Sequence, residues 1–554
     1  MVRGFLKQIV APRGSEKLVD LWVLTLVAAF IRGAWWATQN WVIENEGAEY
    51  CTITENWFGG NGYMGILGGP QILFPPLYPF LNGLLTFVVG DCELAGRTVA
   101  FFAAVALVPI IYSVTNVVFG RGAAIIAGAM AAAHPFLVAM SSAVYVESLY
   151  GALLMFGAYW TLRLSQSPQL LYAGLSGLFF GLAYLTRPEG LAYISLAFLA
   201  ILANAVIGKI KWTQGLALVA MVMFVSGVLA IPYITYLSIN SGGLHIEGKS
   251  IVNNVVSSRM RQGMTFPEAA RGLNLTTGSL GPFLVPDHFK LARASTSAGY
   301  ELLRSIASNA PSRAITLSKS IASTPWLGSP VLFLFALLGF ILSYWWRDHI
   351  MEGLIITGMA CLLGVVLLSI EFLWPRYFYP VLPLTIPWFG AGVYSVAKKV
   401  IRFIQPIERS STLSQFFITG FSIAVVSWVV AISLPATYEI GEISQSKDKE
   451  LKRAGQWIAA QGALRPRIMG ISAVVPYYAG GVLLYLPYSS EDTALQYINQ
   501  QRPNFIVLRE GDEHQAPYLT KWLHEGIPSK CTRKFWQDRG NNGKALSIYA
   551  WTCT

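Results

Sequence analysis

"LVDLWVLTLVAAFIRGAWWATQNWVIENEGAEY" (residues 18–50) joins a long apolar run to three closely spaced acids. As a helix, the apolar run 18–39 is long enough to cross about 30 Å of hydrocarbon, since each residue adds about 1.5 Å. It is too long for the core of a signal peptide and lacks a small-x-small cleavage site, so we predict a retained membrane helix. Glu44, Glu46 and Glu49 then lie just beyond the end of that helix.

The rest of the chain repeats the apolar pattern. Hydrophobic residues make up 54% of the 554 residues and charged residues only 12%, about half of the roughly 25% usual in soluble domains. The sequence therefore predicts a polytopic α-helical protein of the cell (inner) membrane with about 11 spans. These lie at about 18–38, 97–119, 121–141, 145–163, 170–186, 190–207, 213–238, 327–346, 351–371, 376–397 and 414–434.

The distribution of Lys and Arg predicts the orientation of the spans. If the N-terminus is cytoplasmic, every even-numbered loop is cytoplasmic and carries Lys or Arg, as Arg121, Arg163 and Arg347 illustrate; this is the positive-inside rule. The agreement holds only if residues 74–90, which are short for a span and contain Pro75 and Pro76 near their start, do not cross. We therefore expect residues 74–90 to form a juxtamembrane helix on the outer surface.

This topology divides the chain into two domains. Residues 1–434 form the membrane domain, with long outer loops at 39–96 and 239–326, and residues 435–554 have the composition of a soluble α/β domain. Within the second domain, "KDKELKRAGQWIAAQ" predicts an amphipathic helix, and "PRIMGISA", "NFIVLRE" and "ALSIYAWTC" predict strands. An odd number of crossings places this domain outside the cytoplasm. There, Cys531 and Cys553 form a disulfide if the compartment is oxidising, or remain two free thiols.

Composition excludes several functions. The net charge of +11 does not indicate binding to nucleic acid, because much of it lies in short loops where Lys and Arg report membrane orientation. The five Cys residues include no CxxC pair, so neither a metal-binding knuckle nor a redox motif is indicated.

Acids and arginines converge on the predicted outer boundary of the membrane. Ionisable groups are costly there and usually line a polar cavity, so their convergence suggests a site that handles both a proton and an anion. The residues concerned are Glu44, Glu46, Glu49, Glu147, Arg187, Glu189, Glu371 and Arg376, with Arg32 one or two helical turns below the boundary.

Within this set, the acids are candidates for a general base. Glu46 and Glu49 share a helix face, and Tyr50 stands four residues after Glu46. A carboxylate at a partly dry interface has the raised proton affinity that a base near neutral pH requires. The alternative is a solvated acidic face. Glu147 starts an uncharged span, where it could equally serve the helix dipole.

The arginines are candidates for binding phosphate. Arg187 and Arg376 each stand where one span ends or the next begins, and Arg offers a permanent charge and a planar fork that suits phosphate oxygens. The alternative is that each snorkels to the lipid headgroups.

At these residues the chain resembles the GT-C glycosyltransferases, and more narrowly the branch that holds the protein O-mannosyltransferases and the lipid A aminoarabinose transferase. The similar stretches run in order along almost the whole chain. They are "EGAEY", "ITEN", "FPPLYPFLNGLL" with Pro76 and Tyr78, "VVFGRGAAIIAGAMAAAHPF", "YVESLYGALL", "GLAYLTRPEGL" with Glu189, "HIEGKS", "RYFYPVLPL" and the terminal "AGQWIAAQ", "VPYYAGG" and "ALQYINQQRPNFIVL".

The resemblance implies transfer of a sugar from a polyprenyl-phosphate carrier to an acceptor lipid, protein or polysaccharide on the outer side of the bilayer. It matches Glu46, four residues before Tyr50, to an acidic base for which the family usually has Asp. Glu44 and Glu49 therefore stay alternatives. Arg187, Arg376 and Lys249 match basic positions near the carrier phosphate, and Glu147 matches a second outer-loop acid. A single displacement would invert the anomeric centre, with no metal or other cofactor.

Two other classes of function remain open. A lipid or solute transporter or flippase would also be polytopic, but it usually places ionisable groups near the middle of the bilayer and often shows an internal repeat. A non-catalytic membrane scaffold would need none of the acids at the boundary.

Overall fold

The computed structural model describes residues 15–39, 42–274, 278–294, 315, 319, 327, 329–343, 345–369, 374–404, 411–439, 448–540 and 543–553. Of the acids and arginines predicted at the outer boundary, Glu371 lies outside the residues that the structure describes. Up to residue 439 the chain is mainly helical. The α-helices are α1 Ser15–Thr38, α2 Asn45–Phe58, α3 Leu77–Val89, α4 Cys92–Phe119, α5 Arg121–Ala133, α6 Pro135–Met140, α7 Glu147–Gln166, α8 Leu170–Tyr184, α9 Ile194–Val206, α10 Trp212–Ser241, α11 Lys249–Arg261, α12 Phe266–Arg271, α13 Phe289–Ala294, α14 Ser329–Leu342, α15 Trp345–Asp348, α16 Ile350–Ser369, α17 Val381–Ile404 and α18 Ser411–Glu439.

Helices occupy all eleven segments predicted to span the membrane. Among the described residues, six helices are long and apolar enough to cross a bilayer: Glu16–Thr38, Cys92–Phe119, Pro188–Val206, Trp212–Ser241, Ile350–Leu368 and Ser414–Tyr438. Four shorter apolar helices are Leu77–Val89, Arg121–Ala133, Leu170–Tyr184 and Pro330–Leu342. The mainly helical membrane fold is thus confirmed, while the count of eleven crossings stays a prediction.

An ion-pair cluster joins the start of α1 to the start of α5. Arg121 Nε lies 2.6 Å from Asp20 Oδ2, and the same guanidinium pairs with Glu16. Both helix starts therefore lie at the same end of the bundle. The predicted topology requires this arrangement, because an additional crossing by residues 74–90 would put Arg121 and Glu16 on opposite sides of the membrane.

Small residues allow the helices to pack closely. A Cβ on Gly339 of α14 would lie 1.9 Å from Trp388 O, and a Cβ on Gly392 of α17 would lie 1.8 Å from Phe335 O. Only glycine permits such an approach of two backbones, which is a common device of membrane helices. The tight α14–α17 pair supports the segment that leads into α17.

Residues 448–553 contain a five-stranded sheet. The strands are β3 Arg467–Gly470, β4 Val482–Tyr485, β5 Phe505–Arg509, β6 Thr532–Arg539 and β7 Ala545–Trp551, after a two-stranded pair of β1 Leu273–Asn274 and β2 Ser279–Leu280. The strand order is β4-β3-β5-β7-β6. Strand β3 is parallel to β4 and β5, and β7 is antiparallel to β5 and β6. Helices pack on this sheet: α19 Lys449–Ala460, α20 Val474–Tyr478, α21 Glu491–Gln501 and α22 Leu519–Glu525.

The predicted amphipathic helix and three predicted strands of this part coincide with α19, β3, β5 and β7. Its placement outside the cytoplasm and the boundary at residue 435 stay predictions.

Two disulfides are present. Cys531 pairs with Cys553, which settles the alternative of two free thiols. Cys51 of α2 pairs with Cys92 of α4, a bond that the sequence analysis does not identify. The second bond fastens α2, the helix that contains Glu46 and Glu49, to the membrane helix beside it.

Candidate active site

Helix α2 begins inside the acid-rich segment 44–50 and carries Glu46 in its first turn. Glu46 lines a small cleft that is partly open to solvent. Separate parts of the chain complete its walls: Tyr50, Leu73, Phe74, Pro75, Val146, Glu147, Thr186, Arg187, Pro188, Glu189, Lys249 and Tyr377. The structure therefore brings together six predicted site residues, namely Glu46, Tyr50, Glu147, Arg187, Glu189 and Lys249.

Arg376 is connected to this cleft by an ion pair with Glu46. Its Nη2 donates to Glu46 Oε1 at 2.5 Å, across 330 residues of sequence. Arg376 lies in the 3-10 helix Pro375–Phe378 and is 8% exposed. The side chain of Glu46 keeps 20% of its surface exposed, so the carboxylate is held by the arginine on one side and open to the cleft on the other.

Arg187 connects two further acids. Pro188 has no N–H and disfavours helix at the residue before it, so Arg187 is extended between α8 and the 3-10 helix Pro188–Tyr193. Its Nη1 lies 3.4 Å from Glu147 Oε1 and its Nη2 lies 3.3 Å from Glu189 Oε1. Glu147 Oε1 also lies 4.0 Å from Arg376 Nε. The buried Glu147 carboxylate thus stands between the two guanidinium groups.

The ring of Tyr377 is the common neighbour of the three cations. The guanidinium carbons of Arg187 and Arg376 lie 5.3 and 5.4 Å from its centroid, and Lys249 Nζ lies 5.2 Å from it. An aromatic face attracts cations electrostatically, so this ring helps to hold three like charges close together. Burial lowers the pKa of the Lys249 ammonium, but the Tyr377 phenol and the Glu46 carboxylate outweigh burial and raise that pKa above 10.5.

The cleft carries equal numbers of opposite formal charges. The cations are Arg187, Arg376 and Lys249, and the acids are Glu46, Glu147 and Glu189. The two arginines make the ion pairs with these acids, at 2.5–4.0 Å. Within the described part of the chain, Glu147 Oε2 and Glu189 Oε2 are buried with no hydrogen-bond partner. An anion can therefore bind the cations in competition with the acids, while hydroxyl donors can satisfy the two carboxylate oxygens.

The other two acids of "ENEGAEY" lie outside the cleft. Glu44 Oε2 accepts from the backbone N–H of Val144 at 3.1 Å, and Glu44 Oε1 lies 3.7 Å from Arg97 Nη1. Burial raises the pKa of the Glu44 carboxyl, although the Arg97 charge opposes that effect.

Glu49 faces the segment that follows α2. Its Oε1 accepts from Gln71 Nε2 at 2.5 Å and its Oε2 accepts from Ile66 N at 3.2 Å. Burial raises the pKa of Glu49 to about 7 against the effect of both hydrogen bonds. Of the three predicted candidates, only Glu46 contacts the cleft.

The remaining predicted residues support the wall formed by α2. Tyr50 packs edge-on against Tyr78, with ring centroids 4.9 Å apart, and the Tyr78 hydroxyl donates to Gly96 O at 2.9 Å. Pro76 precedes α3, whose first backbone N–H, that of Leu77, donates to Leu185 O at 2.9 Å. These contacts join α2, α3, α4 and the end of α8 around the cleft.

Sequence reasoning missed three functional neighbours. Tyr377 could have been found from its position directly after Arg376, since aromatic residues often flank bound cations. Gln71 and Arg97 gave no local signal, because their partners Glu49 and Glu44 are fixed by the tertiary fold.

No cluster for a metal was found. Among the described residues, no group of three or more His, Cys, Asp or Glu side chains could hold a metal ion. Independence from metals stays a prediction.

The chain is similar to known proteins in part of its sequence and in its fold. The family described as dolichyl-phosphate-mannose-protein mannosyltransferase matches residues 74–231, less than one third of the chain. No curated protein sequence matches significantly.

Several solved structures match almost the whole chain. The oligosaccharyltransferase of Archaeoglobus fulgidus, in complex with Zn and sulfate, has a TM-score of 0.61 and 13% identity, over 96% of this chain and 73% of that one. The same enzyme (AglB), with an inhibitory peptide and a dolichol-phosphate, gives 0.58 and 12%, over 96% and 74%. ArnT of Cupriavidus metallidurans, bound to undecaprenyl phosphate, gives 0.54 and 14%, over 97% and 98%.

Both neighbours are GT-C glycosyltransferases. The predicted resemblance to that superfamily is therefore confirmed by the family match and by the fold that these chains share.

Proposed function

We propose that this protein is a membrane glycosyltransferase that moves a sugar from a polyprenyl-phosphate carrier to an acceptor on the extracytoplasmic side of the membrane. The observation that carries the proposal is the shared cleft. Glu46 is the one carboxylate of the acid-rich segment that lines it; Arg376 pairs with that carboxylate, and Arg187 and Lys249 line the same cleft.

The cations suit the donor phosphate. Arg187 and Arg376 offer planar donor forks and Lys249 a compact charge. When the bond between the anomeric carbon and the phosphate oxygen breaks, negative charge grows on the leaving phosphate, and fixed cations stabilise it. The dolichol-phosphate and undecaprenyl phosphate in the structural neighbours support a donor of this class.

Glu46 suits the role of general base. The acceptor oxygen attacks the anomeric carbon, forms the new glycosidic bond and gives its proton to Glu46, while the carrier phosphate leaves from the opposite face. One such displacement inverts the anomeric configuration. Donor binding also prepares the base, because a phosphate that engages Arg376 competes with the Glu46–Arg376 pair at 2.5 Å and frees the carboxylate to accept a proton.

The two disulfides support the extracytoplasmic side. Cys51–Cys92 joins α2, the helix that carries Glu46, to α4. Cys531–Cys553 lies in residues 448–553, the C-terminal sheet region. Disulfides persist mainly in oxidising compartments. The site and residues 448–553 therefore face away from the cytoplasm in this proposal, and the polyprenyl tail lies in the bilayer.

Incubation of purified protein with radiolabelled polyprenyl-phosphate sugars and candidate acceptors tests the proposal. We expect loss of carrier-linked label with the wild type and at least a hundredfold slower loss with Glu46→Gln. Glu55→Gln is the matched control, because Glu55 is an exposed acid on the same helix.

Glu44→Gln and Glu49→Gln test the two alternative bases. Near-normal turnover by Glu46→Gln refutes the assignment of the base. If the wild type moves the carrier between leaflets without cleaving it, the proposal fails in favour of a flippase.

A further inference from the structure

Each residue from 42 to 46 makes a hydrogen bond or ion pair with a distant part of the chain. The segment leads into α2, so these contacts fix the place where Glu46 enters the cleft. The contacts are Arg97 Nη2 to Val42 O at 3.0 Å, Ile43 N to Tyr478 Oη at 2.9 Å, Val144 N to Glu44 Oε2 at 3.1 Å, Ser472 Oγ and Ala473 N to Asn45 Oδ1, each at 2.8 Å, and Arg376 Nη2 to Glu46 Oε1 at 2.5 Å.

The contact at Asn45 comes from the C-terminal sheet. Ser472 and Ala473 lie between the end of β3 and the start of α20, and both donate to the single oxygen Asn45 Oδ1. Together these two hydrogen bonds form a clamp on Asn45. Asn45 directly precedes Glu46, and consecutive Cα atoms lie about 3.8 Å apart, so the clamp acts one residue away from the proposed base. Two donors that converge on one acceptor define the direction of this side chain.

The contact at Ile43 comes from the short helix α20, which follows Ser472 and Ala473. Tyr478 ends α20, and its hydroxyl accepts from Ile43 N and donates to Glu93 Oε2 at 2.7 Å. The other oxygen of Glu93 pairs with Arg97 Nη2 at 2.8 Å. Tyr478 thus ties the start of α2, the membrane helix α4 and the C-terminal sheet region into one network.

Helix α20 is itself held firmly. A Cβ on Gly455 of α19 would lie 2.6 Å from Tyr478 Cβ, so α19 and α20 pack closely at a position where a larger residue would clash. The contacts with Asn45 and Ile43 therefore come from α20 and the two residues before it, an element packed against α19, and packed supports are what positioning of a reactive group requires.

We propose that Ser472, Ala473 and Tyr478 of the C-terminal sheet region are positioning residues, which hold α2 and with it Glu46 through their contacts with Asn45 and Ile43. This inference rests on the proposed role of Glu46. A base must lie within hydrogen-bond reach of the proton it removes, and a displacement of about 1 Å can slow a reaction by about a hundredfold.

The clamp can be tested without unfolding the protein. Asn45 is exposed, so water replaces hydrogen bonds that Asn45→Ala removes. We expect this variant to lower kcat for transfer by about tenfold to about 100-fold while the KM for the polyprenyl-phosphate donor stays unchanged. Asn45→Asp keeps the acceptor oxygen and should restore most of kcat.

A double variant separates positioning from independent effects. Ser472→Ala removes one of the two donors and should lower kcat less than Asn45→Ala does. Because Ser472 acts through Asn45, the double variant should be no slower than Asn45→Ala alone. The control is Ser490→Ala, which removes an N-cap of α21 in the same sheet region without contact to α2; it should leave kcat unchanged.

Hydrogen exchange of the peptide that covers residues 42–50 gives a second measurement that does not depend on activity. We expect faster exchange there in Asn45→Ala and in Ser472→Ala, and the wild-type rate in Ser490→Ala. Unchanged exchange in Asn45→Ala overturns the clamp even if Glu46 is the base. Faster exchange without any change in kcat overturns the positioning role alone, and turnover by Glu46→Gln overturns the proposed base separately.

Discussion

Replacement of Glu49 by Gln should remove a pH dependence from the stability of the folded protein. In the wild type, burial raises the pKa of the Glu49 carboxyl from its ordinary 4.5 to about 7. The folded state therefore binds this proton more tightly than the unfolded state does. Glutamine has the same shape but no proton to lose, so the variant isolates this single titration.

The sign follows from linkage between protonation and folding. Below about pH 4.5 the carboxyl is protonated in both states, and its contribution to stability is fully present. As the pH rises from 4.5 through 7, the unfolded state loses the proton first, and the free energy of unfolding falls. The difference between 4.5 and about 7 corresponds to about 3 kcal/mol at about 1.4 kcal/mol for each pKa unit. This is an upper limit, because part of the Glu49 residue remains exposed.

Thermal unfolding in detergent at several pH values between 5 and 8 measures the effect. The wild type should lose a few degrees of Tm more than Glu49→Gln does across this interval. The variant also loses part of the hydrogen bonding to Gln71 and Ile66, which costs about 1 kcal/mol at every pH and leaves the slope unaffected. Parallel curves for the two proteins would refute the raised pKa.

Two further predictions concern the cleft and its supports. Tyr377→Leu should raise the KM for the polyprenyl-phosphate donor about tenfold, because it removes the aromatic face from three cations at 5.2–5.4 Å, each contact being worth about 1 kcal/mol. Tyr377→Phe keeps that face and should bind donor within about twofold of the wild type; steady-state kinetics compares them, and equal KM values for both variants would contradict the role of the ring. Loss of the Cys51–Cys92 disulfide, in the double Ser variant, should destabilise the protein by at most about 4 kcal/mol, given the 41-residue separation. The Tm of the double variant should be lower than that of the oxidised wild type, and reductant should not change it. The Tm of the wild type should fall to the same value only after reduction. Equal Tm values for the variant and the oxidised wild type would count against the bond.

The sequence predicts the elements of the site better than their partners. Arg187 and Glu189 flank Pro188, so the local sequence determines their place at the end of a helix. In the structure the two form an ion pair, with 3.3 Å between Arg187 Nη2 and Glu189 Oε1. Arg376 and Glu46 are separated by 330 residues of sequence. No local pattern specifies which of the three acids in residues 44–50 pairs with such a distant arginine.

The same limit applies to helix α2. Its spacing places Glu46 and Glu49 on one face, yet the two carboxylates have different neighbours, because residues 66 and 71 contact Glu49 while Arg376 contacts Glu46. The Cys51–Cys92 bond depends on how α2 packs against α4 in space, which composition does not reveal. Apolar length, in contrast, is sufficient to locate helices in every predicted span.

In the proposed mechanism, one of the three acids in residues 44–50 reacts and the other two hold the helix in place, so the three are not equivalent bases. Glu44 contacts α4 through Arg97, Glu49 contacts the following segment through Gln71, and Glu46 alone meets the cleft. Contacts of Glu44, Asn45 and Glu49 hold the start of α2 on three sides. The helix therefore has little freedom to rotate. An acid-rich stretch at a membrane boundary can therefore mark a helix whose position must not change, and the number of its acids need not equal the number that react.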